Sequence, residues 1–289
     1  MEKIRVITDS ASDISVEEEK AYDIEIIPFD VILGSKSYVS RVDVDNEGFY
    51  KLMEECDDLP LTSQITPYRF QEIFLKDAER GFTDLVVVLI NSQGSATYGN
   101  ALMAKDAFFE EHPEYQGKVK IDVYDGRGYN AVYGYPVVNA ARMVQNGSNA
   151  DAVRTYLSEN IDNRQLYFGI YSLKYAGKSG RIPSAAAFIG DKLNLKPIMK
   201  IADNQISTAA KVRGEGKLIS KAATLAVNDM EPGTPYQVVY GCDESCRDEM
   251  TKIMTEKTGY APDGYYQIGA AVAANAGPKV CGVAFQIKK

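Results

Sequence analysis

The stretch Asp84-Leu85-Val86-Val87-Val88-Leu89-Ile90, followed by Asn91-Ser92-Gln93-Gly94-Ser95-Ala96-Thr97, decides the fold. Its aliphatic run from Leu85 to Ile90 has no polar alternation, which is typical of a strand buried on both faces of a parallel sheet. A polar turn follows, and Ser95 to Glu110 then has helical periodicity. The stretch is therefore a strand-turn-helix unit, and it predicts an α/β fold.

The same alternation of strand and helix continues on both sides of this unit. Ile4 to Ile7 and Val119 to Tyr124 are predicted strands, and Tyr129 to Gln145 is a predicted helix that Asn146-Gly147 ends. The same signals predict further helices over Ser15–Tyr22, Asp45–Glu55, Lys217–Asn228, Glu244–Lys257 and Gly269–Ala276, and one that begins at Thr66-Pro67. They predict strands or extended runs over Ile24–Leu33, Leu166–Tyr171, Pro197–Ile201, Gln205–Lys211, Gln237–Gly241 and Gly282–Ile287.

These elements divide into two α/β domains. Residues 1–160 are predicted to form a mostly parallel sheet flanked by helices, and residues 161–289 a smaller domain with a mixed sheet. Ala202-Asp203-Asn204 separates two short extended runs in the second domain, and it predicts a hairpin whose turn residues tolerate unusual φ.

Composition limits the possible partners and location. The 289 residues include 32 Lys+Arg and 40 Asp+Glu, so the net charge of −8 argues against nucleic acid as the main partner. The first ten residues carry charges at Glu2, Lys3 and Arg5 and do not resemble a signal peptide. The longest aliphatic run is far shorter than the ~20 residues of a membrane-spanning helix. Four cysteines suit a reducing compartment. We therefore expect a cytoplasmic protein.

A calcium site is one alternative for the acidic stretch Asp43-x-Asp45-x-Glu47-Gly48, with Glu54 further on. These residues resemble part of an EF-hand loop. An EF-hand needs a helix on each side, and residues 32–38 are not helical by pattern. An acidic helix N-terminus is the preferred interpretation.

A nucleotide site is the alternative for Gly126-x-Gly128-x-x-Ala131, which resembles a dinucleotide-binding turn. The motif belongs to the third strand-helix passage and not to the first, and Asp151 does not follow a strand as the ribose ligand should. We interpret it as a tight turn.

Conventional catalytic groups are scarce. The chain has one histidine, His112, in a polar turn, and it lacks a G-x-S-x-G nucleophile elbow. Cys242 and Cys246 lack a second pair of zinc ligands. We expect no catalytic residue and no metal site.

Three hydroxyl-rich turns remain: Thr8-Asp9-Ser10, Thr62-Ser63-Gln64 and Ser92 to Thr97. Backbone N–H groups after Gly94, together with the Ser95 and Thr97 hydroxyls, could hold a carboxylate or phosphate without fixed positive charge. We expect all three turns at the carboxyl ends of parallel strands, where an open α/β sheet usually binds its ligand.

These turns, with motifs of the second half, resemble the DegV family of fatty-acid-binding proteins, which includes the fatty-acid-binding subunits of bacterial fatty acid kinase. The resemblance spans nearly the whole chain. The motifs that carry it are Thr8-Asp9-Ser10-x-x-Asp13-Ile14, Leu61-Thr62-Ser63-Gln64, Ser92-x-x-Ser95-Ala96-Thr97-Tyr98, Gly180-Arg181-Ile182, Leu193-Asn194-Leu195-Lys196-Pro197-Ile198 and Lys211-Val212-Arg213-Gly214.

The resemblance implies two α/β domains with a long acyl chain buried between or beneath them. It implies a non-catalytic carrier with no cofactor other than the bound fatty acid, which a separate kinase would convert to an acyl phosphate. The residues that it implies for the carboxylate are Thr62, Ser63, Ser95, Thr97 and Asn275.

Arg181 and Arg213 are implied as docking residues for the kinase or for transient contact with a membrane surface. Residues 174–221 hold ten Lys/Arg against three acids, a surplus of seven positive charges in an acidic chain. This surplus favours a docking role for the segment.

Three positions depart from the family pattern. Asn275 stands where the family usually carries a histidine in a G-x-H-x-G-P-G segment, Ala96 replaces the glycine of S-G-T, and Asp125-Gly126 replaces a D-S turn. An amide can donate to a carboxylate, but it does not titrate. Two alternatives therefore stay open: a protein of the same fold that binds a different apolar carboxylate, and a small-molecule transferase or hydrolase acting at Ser95 with Thr62 beside it.

Overall fold

A computed structural model of the chain describes residues 2–182 and 195–288. The strands in these residues are Ile4–Asp9 (β1), Glu25–Ile27 (β2), Asp30–Leu33 (β3), Lys36–Val39 (β4), Leu61–Thr62 (β5), Asp84–Leu89 (β6), Lys120–Asp125 (β7), Arg164–Ile170 (β8), Leu195–Ala202 (β9), Gln205–Arg213 (β10), Tyr236–Tyr240 (β11), Tyr265–Gln267 (β12) and Val280–Gln286 (β13). The α-helices are Val16–Ala21 (α1), Asn46–Glu55 (α2), Pro67–Glu79 (α3), Thr97–Glu111 (α4), Ala131–Gln145 (α5), Ala150–Asn160 (α6), Leu173–Lys178 (α7), Leu218–Asp229 (α8), Glu244–Thr258 (α9) and Ala270–Ala276 (α10).

Two main sheets confirm the predicted α/β fold. The first has the order β2-β1-β6-β7 with parallel neighbours, and every residue of the aliphatic strand β6 is buried. The second has the order β10-β9-β8-β13-β11-β12 and is mixed, because β11 and β12 are parallel and the other pairs are antiparallel. The second sheet begins with β8, and the division of the chain at residue 160 stays a prediction.

A third, small sheet corrects one prediction about the hydroxyl-rich turns. Its order is β4-β3-β5, and both pairs are antiparallel. Thr62 lies in β5 opposite Val31, so the Thr62-Ser63-Gln64 turn does not follow a parallel strand. The segment predicted as extended from Ile24 to Leu33 is divided at Pro28, which lies between β2 of the first sheet and β3 of the small sheet.

Local capping signals were correct predictors of helix starts. Ser15 and Glu18 form a reciprocal capping box at α1, and Thr66 caps α3 with Pro67 in its first turn. Asp45 caps α2 by accepting from the Gly48 N–H at 2.7 Å. The acidic stretch is thus a helix N-terminus, and the described residues hold no cluster of three metal-ligating side chains.

The predicted hairpin in the second sheet is also confirmed. β9 and β10 are antiparallel, and their turn residues Asp203 and Asn204 have φ of 51° and 64°. Asp and Asn tolerate the left-handed region better than other side chains, which is why this turn could be recognised from the sequence.

The two main sheets are joined through α10 and the strand before it. The Asp13 carboxylate, after β1, accepts from the Gly269 N–H at 2.8 Å, and Asn46 of α2 donates to Gln267 of β12 at 3.2 Å. These contacts hold the short helix α10 against the small sheet and α2. Among residues 2–182 and 195–288, no helix is both long and apolar enough to cross a bilayer.

Candidate functional site

A cavity of about 300 Å³ lies between the two main sheets, and we call it the inter-sheet cavity. Its volume falls at the lower end of the range typical of small-molecule sites. Leu166 and Phe168 reach it from one face of β8 because side chains two apart on a strand share a face. Most of the other apolar side chains of its wall come from the second sheet, from α10 and from the segment just before α10: Ile201, Ile206, Val239, Val280, Ile268, Ala271, Val272 and Ala276. Phe29, Ile90, Ala96 and Ile182 line it from elsewhere in the chain.

The cavity also has polar lining residues. Thr62, Ser63 and Gln64 line it from the end of β5, and Ser95 lines it from the turn after β6. The contact between these two segments is made by Ile65, whose N–H donates to Thr97 Oγ1 at 3.2 Å. The structure therefore brings two of the three predicted hydroxyl turns together, although they are 30 residues apart in sequence.

Ser95 and Thr97 have different positions. Ser95 Oγ lies 2.9 Å from Thr97 Oγ1 and accepts from the Thr97 N–H at 3.2 Å. Thr97 is fully buried and is not among the residues that line the cavity. Its hydroxyl positions Ser95 and residue 65, so its predicted contact with a ligand would be indirect.

The turn before Ser95 is held by its own polar side chain. Asn91 Oδ1 accepts from the N–H groups of Gln93 at 2.7 Å and Gly94 at 3.1 Å. A Cβ at Gly94 would lie 1.9 Å from the hydroxyl oxygen of Tyr129, so glycine allows that ring to close against the turn.

Tyr129 and Asn130 line the cavity and were missed by the sequence analysis. Burial raises the pKa of Tyr129 to about 12, so its phenol is a neutral hydrogen-bond donor at physiological pH. Both residues were predicted to begin the helix that follows the turn, whereas the structure begins α5 at Ala131 with Asn130 as its N-cap. The Gly126 and Gly128 spacing marked the turn, but no local signal showed that it faces a cavity.

The first hydroxyl turn supports the structure around the cavity and does not line it. The buried Asp9 carboxylate accepts from the Ile90 N–H at 2.7 Å and the Tyr133 hydroxyl at 2.6 Å, and burial raises its pKa to about 6. Asp13 accepts from Asn130 Nδ2 at 2.7 Å, and burial raises its pKa to about 8. Asp13 therefore orients a residue of the cavity wall.

Asn275 lies in α10, half-buried, and lines the cavity. Its Nδ2 donates to the Ala271 carbonyl of the preceding helical turn at 3.0 Å. An amide nitrogen carries two N–H groups, so one remains for a ligand.

The two predicted docking arginines do not lie together. Arg181 lines the cavity, and its Nε donates to the Gly94 carbonyl at 3.4 Å. Arg213 is exposed and pairs with Leu195, at the end of the hairpin away from the Asp203–Asn204 turn. About eight residues of strand, or roughly 26 Å, separate that end from the turn.

The lining disfavours covalent catalysis at Ser95. Of the described residues that line the cavity, Arg181 alone carries a charge, and none is a carboxylate or histidine that could accept the Ser95 proton. His112 belongs to a different region, where its Nδ1 lies 3.5 Å from a Glu114 carboxylate oxygen.

Comparisons with known proteins agree with the fold. Residues 3–288 match the model of the DegV family. A DegV domain-containing protein of Caldanaerobacter subterraneus subsp. tengcongensis is 30% identical over 294 residues, covering 100% of both chains. Another, from Clostridium perfringens, is 30% identical and covers 98% of both.

Solved structures with the same fold include proteins described by their ligands. A stearic-acid-binding protein of Eubacterium ventriosum is 25% identical, with a TM-score of 0.86 over 98% of this chain and 97% of that one. The Bacillus subtilis DegV, described as a fatty acid binding protein, is 24% identical, with a TM-score of 0.82 and full coverage of both chains.

Proposed function

Since the chain belongs to the DegV family, we propose that it binds a long-chain fatty acid in the inter-sheet cavity. The observation that carries the proposal is the division of the cavity lining into mostly apolar side chains, largely from the second sheet and α10, and a few polar groups that include residues 62–64 and 95. An amphipathic ligand with one small polar head fits this division. The stearic acid bound by the Eubacterium ventriosum relative supports the choice of ligand.

Burial of the tail would supply most of the affinity. A tail of ~16 carbons at about 0.8 kcal/mol per buried methylene contributes roughly 12 kcal/mol before ordering costs reduce it. The head group would then determine which end of the ligand faces the hydroxyl turns.

Neutral donors and one cation would hold the carboxylate. In this proposal Thr62, Ser63, Ser95 and Asn275 donate to it, and Thr97 holds Ser95 in place. Hydrogen bonds to an ionised acceptor contribute about 1.5–3 kcal/mol each when both partners are desolvated. Arg181 adds positive charge at the same cavity.

The protein would act as a carrier, with catalysis in a partner. A separate kinase would phosphorylate the bound carboxylate, and Arg181 and Arg213 would contact that kinase or a membrane surface. The absence of a base among the described lining residues favours this carrier over a transferase or hydrolase. A different apolar carboxylate is the second candidate, because Asn275 replaces the family's histidine.

Extraction of freshly purified protein with organic solvent, followed by mass spectrometry, tests the proposal directly. We expect a long-chain fatty acid in near-equimolar amount. A different apolar acid would favour the second candidate, and protein free of any apolar acid that also takes none up on addition would contradict both.

Ser95→Ala tests the position of the head group. We expect its fatty acid affinity to fall about tenfold, because one donor to the carboxylate is lost. Ser220→Ala, on the exposed side of α8, is the matched control and should bind like the wild type. Equal affinity in both variants would place the carboxylate elsewhere.

A further inference from the structure

A second cavity, of about 320 Å³, lies where α5 and α6 meet one end of the second sheet. We call it the Arg164 cavity. Its polar lining includes Tyr135, Asn139, Arg142, Tyr156, Asn160 and Arg164. None of these residues lines the inter-sheet cavity.

Arg164 is a buried guanidinium with no counterion among the described residues. Only 7% of the residue is exposed, and no carboxylate of the described residues lies within 4 Å of its nitrogens. One of its terminal nitrogens donates to Gln237 Oε1, whereas its buried Nε has no hydrogen-bond partner in the described part of the chain. The ring of Tyr135 lies 4.8 Å from its Cζ. A cation–π contact and one amide compensate only part of the cost of burying a charge.

Burial disfavours the charged form of Arg164 and lowers its pKa. Guanidinium nevertheless stays protonated in proteins, because its unperturbed pKa is above about 12. Arg164 therefore cannot remove its unpaired charge by losing a proton, as a buried lysine could.

A second guanidinium lies at the mouth of the same cavity. The exposed Arg142 donates through Nε to the Tyr22 hydroxyl at 3.3 Å and through Nη1 to Asn139 Oδ1 at 3.0 Å. These contacts fix its direction along α5 and use no carboxylate. The buried Nε2 of Gln237, beside Arg164, also lacks an acceptor within the described residues.

The carboxylate that lies near this region is already engaged. Asp263 is exposed and accepts from the Tyr135 hydroxyl at 2.6 Å, and no oxygen of Asp263 is within 4 Å of Arg164 or Arg142 nitrogens. The hydrogen bond to Tyr22, together with the charge of Asp263 acting through space, raises the pKa of Arg142. Within the described residues the cavity therefore has an unused donor on Arg164 and two positive charges, with no carboxylate in contact with either guanidinium.

We propose that the Arg164 cavity binds a small oxyanion, a phosphate or a carboxylate, between the guanidinium groups of Arg164 and Arg142. Both classes offer the paired acceptor oxygens that a planar guanidinium recognises. The proposal does not depend on fatty acid binding, because the two cavities share none of the residues that line them.

Titration of the full chain with inorganic phosphate, and separately with acetate, tests the proposal by calorimetry and thermal unfolding, with chloride keeping the ionic strength constant. We expect saturable binding of at least one anion and a matching rise in Tm, since a ligand that binds only the folded state stabilises it. A response to phosphate alone or to acetate alone identifies the class. No saturable response to either anion would overturn the proposal.

Variants locate the site. Arg142→Gln, at an exposed position that should not disturb folding, is expected to weaken binding about tenfold, and Arg164→Gln to abolish both the binding and the rise in Tm. Arg127→Gln is the matched control, because Arg127 is partly exposed and already paired with Asp162 at 2.9 Å. Loss of the response in Arg127→Gln to the same extent as in Arg142→Gln would show non-specific screening and would also overturn the proposal. If Arg164→Gln does not fold, the anion affinity of Arg142→Gln compared with that of Arg127→Gln tests the proposal.

Discussion

The inter-sheet cavity and the Arg164 cavity each have a buried ionisable group beside them, but the group near the first can become neutral and the group in the second stays charged. Behind the wall of the first, Asp13 is fully desolvated, and its pKa rises to about 8, so it is largely neutral near pH 7. In the second, Arg164 is as deeply buried but cannot become neutral. A buried carboxyl group can be accommodated by protonation, whereas a buried guanidinium keeps its charge and needs an anion. Arg5 has that anion in Asp23 and Glu25 of the chain itself, and for Arg164 we propose one from outside the chain.

The pH dependence of stability is the largest expected effect. Because the folded-state pKa of Asp13 lies above its unfolded value, the stability from its neutral form is fully present below about pH 4 and is lost progressively as the pH rises through 8. Each proton contributes up to about 1.4 kcal/mol per pH unit. The pKa of Asp9 is also raised by burial, so its contribution to stability is likewise lost as the pH rises through about 6.

Urea unfolding between pH 5 and 9 measures this effect. Asp13→Asn keeps a carbonyl oxygen that can accept from the Gly269 N–H. Because it does not ionise, the free energy of unfolding of the variant should fall by several kcal/mol less than that of the wild type between pH 5 and 9. Groups with lowered pKa, such as Asp243, lose their contribution only at lower pH and do not interfere. Equal slopes for wild type and Asp13→Asn would show that Asp13 ionises normally in the folded protein.

A side chain that fills the inter-sheet cavity should weaken fatty acid binding and leave anion binding at the Arg164 cavity unchanged. Ala271 lines that cavity from α10, and Ala271→Phe would occupy the space of the acyl chain. We expect fatty acid affinity to fall about a hundredfold and stability to change by about 1–3 kcal/mol. Displacement of a fluorescent fatty acid measures the affinity.

Ala271→Ser is the volume-matched control and should bind normally. The response of Ala271→Phe to phosphate or acetate should equal that of the wild type. Loss of both responses together would mean that the cavities are not independent.

Asn275→His tests the departure from the family pattern. A histidine at this position would carry a positive charge below its pKa of about 6.5, and a charged donor binds a carboxylate about tenfold more tightly than a neutral one. We expect the affinity of the variant for fatty acid to rise between pH 8 and 5.5, relative to the wild type over the same range. A ratio that does not change with pH would place position 275 away from the carboxylate.

The smallest expected effect concerns the turn of the β9–β10 hairpin. Asn204 Nδ2 donates to Ser92 Oγ at 3.0 Å and to Asp125 Oδ2 at 2.9 Å, and this holds Ile201 and Ile206 against the cavity. Asn204→Gly keeps the positive φ and removes only the amide. Ligand dissociation, followed by stopped-flow displacement, should become about fivefold faster.

Asp203→Gly is the control for Asn204→Gly. Asp203 also has a positive φ but is exposed, so its replacement tests the effect of glycine alone. Equal acceleration in both variants would attribute the effect to turn flexibility and not to the amide contacts.

Much of the fold could be predicted because its signals are local. The aliphatic β6, the capping box at α1 and the 203–204 turn each depend on neighbouring residues, and the structure confirms them. The motif resemblance identified the family correctly. The predicted ligand contacts and docking residues stay proposals.

Register and packing determined the rest. The sequence pattern predicts a strand that starts at Leu166 and leaves Arg164 outside it, whereas β8 starts at Arg164, which pairs with Gln286. Its contact with Gln237, 73 residues away, arises only because β13 lies between β8 and β11.

The sequence by itself determined the alternation of strands and helices, the helix starts and the family. Tertiary structure alone decided that residues 62–64 and Ser95 line one cavity, that Tyr129 closes against Gly94, and that Arg164 is buried with no carboxylate of the described residues beside it. The physical reason is range: propensity, capping and periodicity act over a few residues, whereas a cavity and the charges inside it depend on which strands become neighbours.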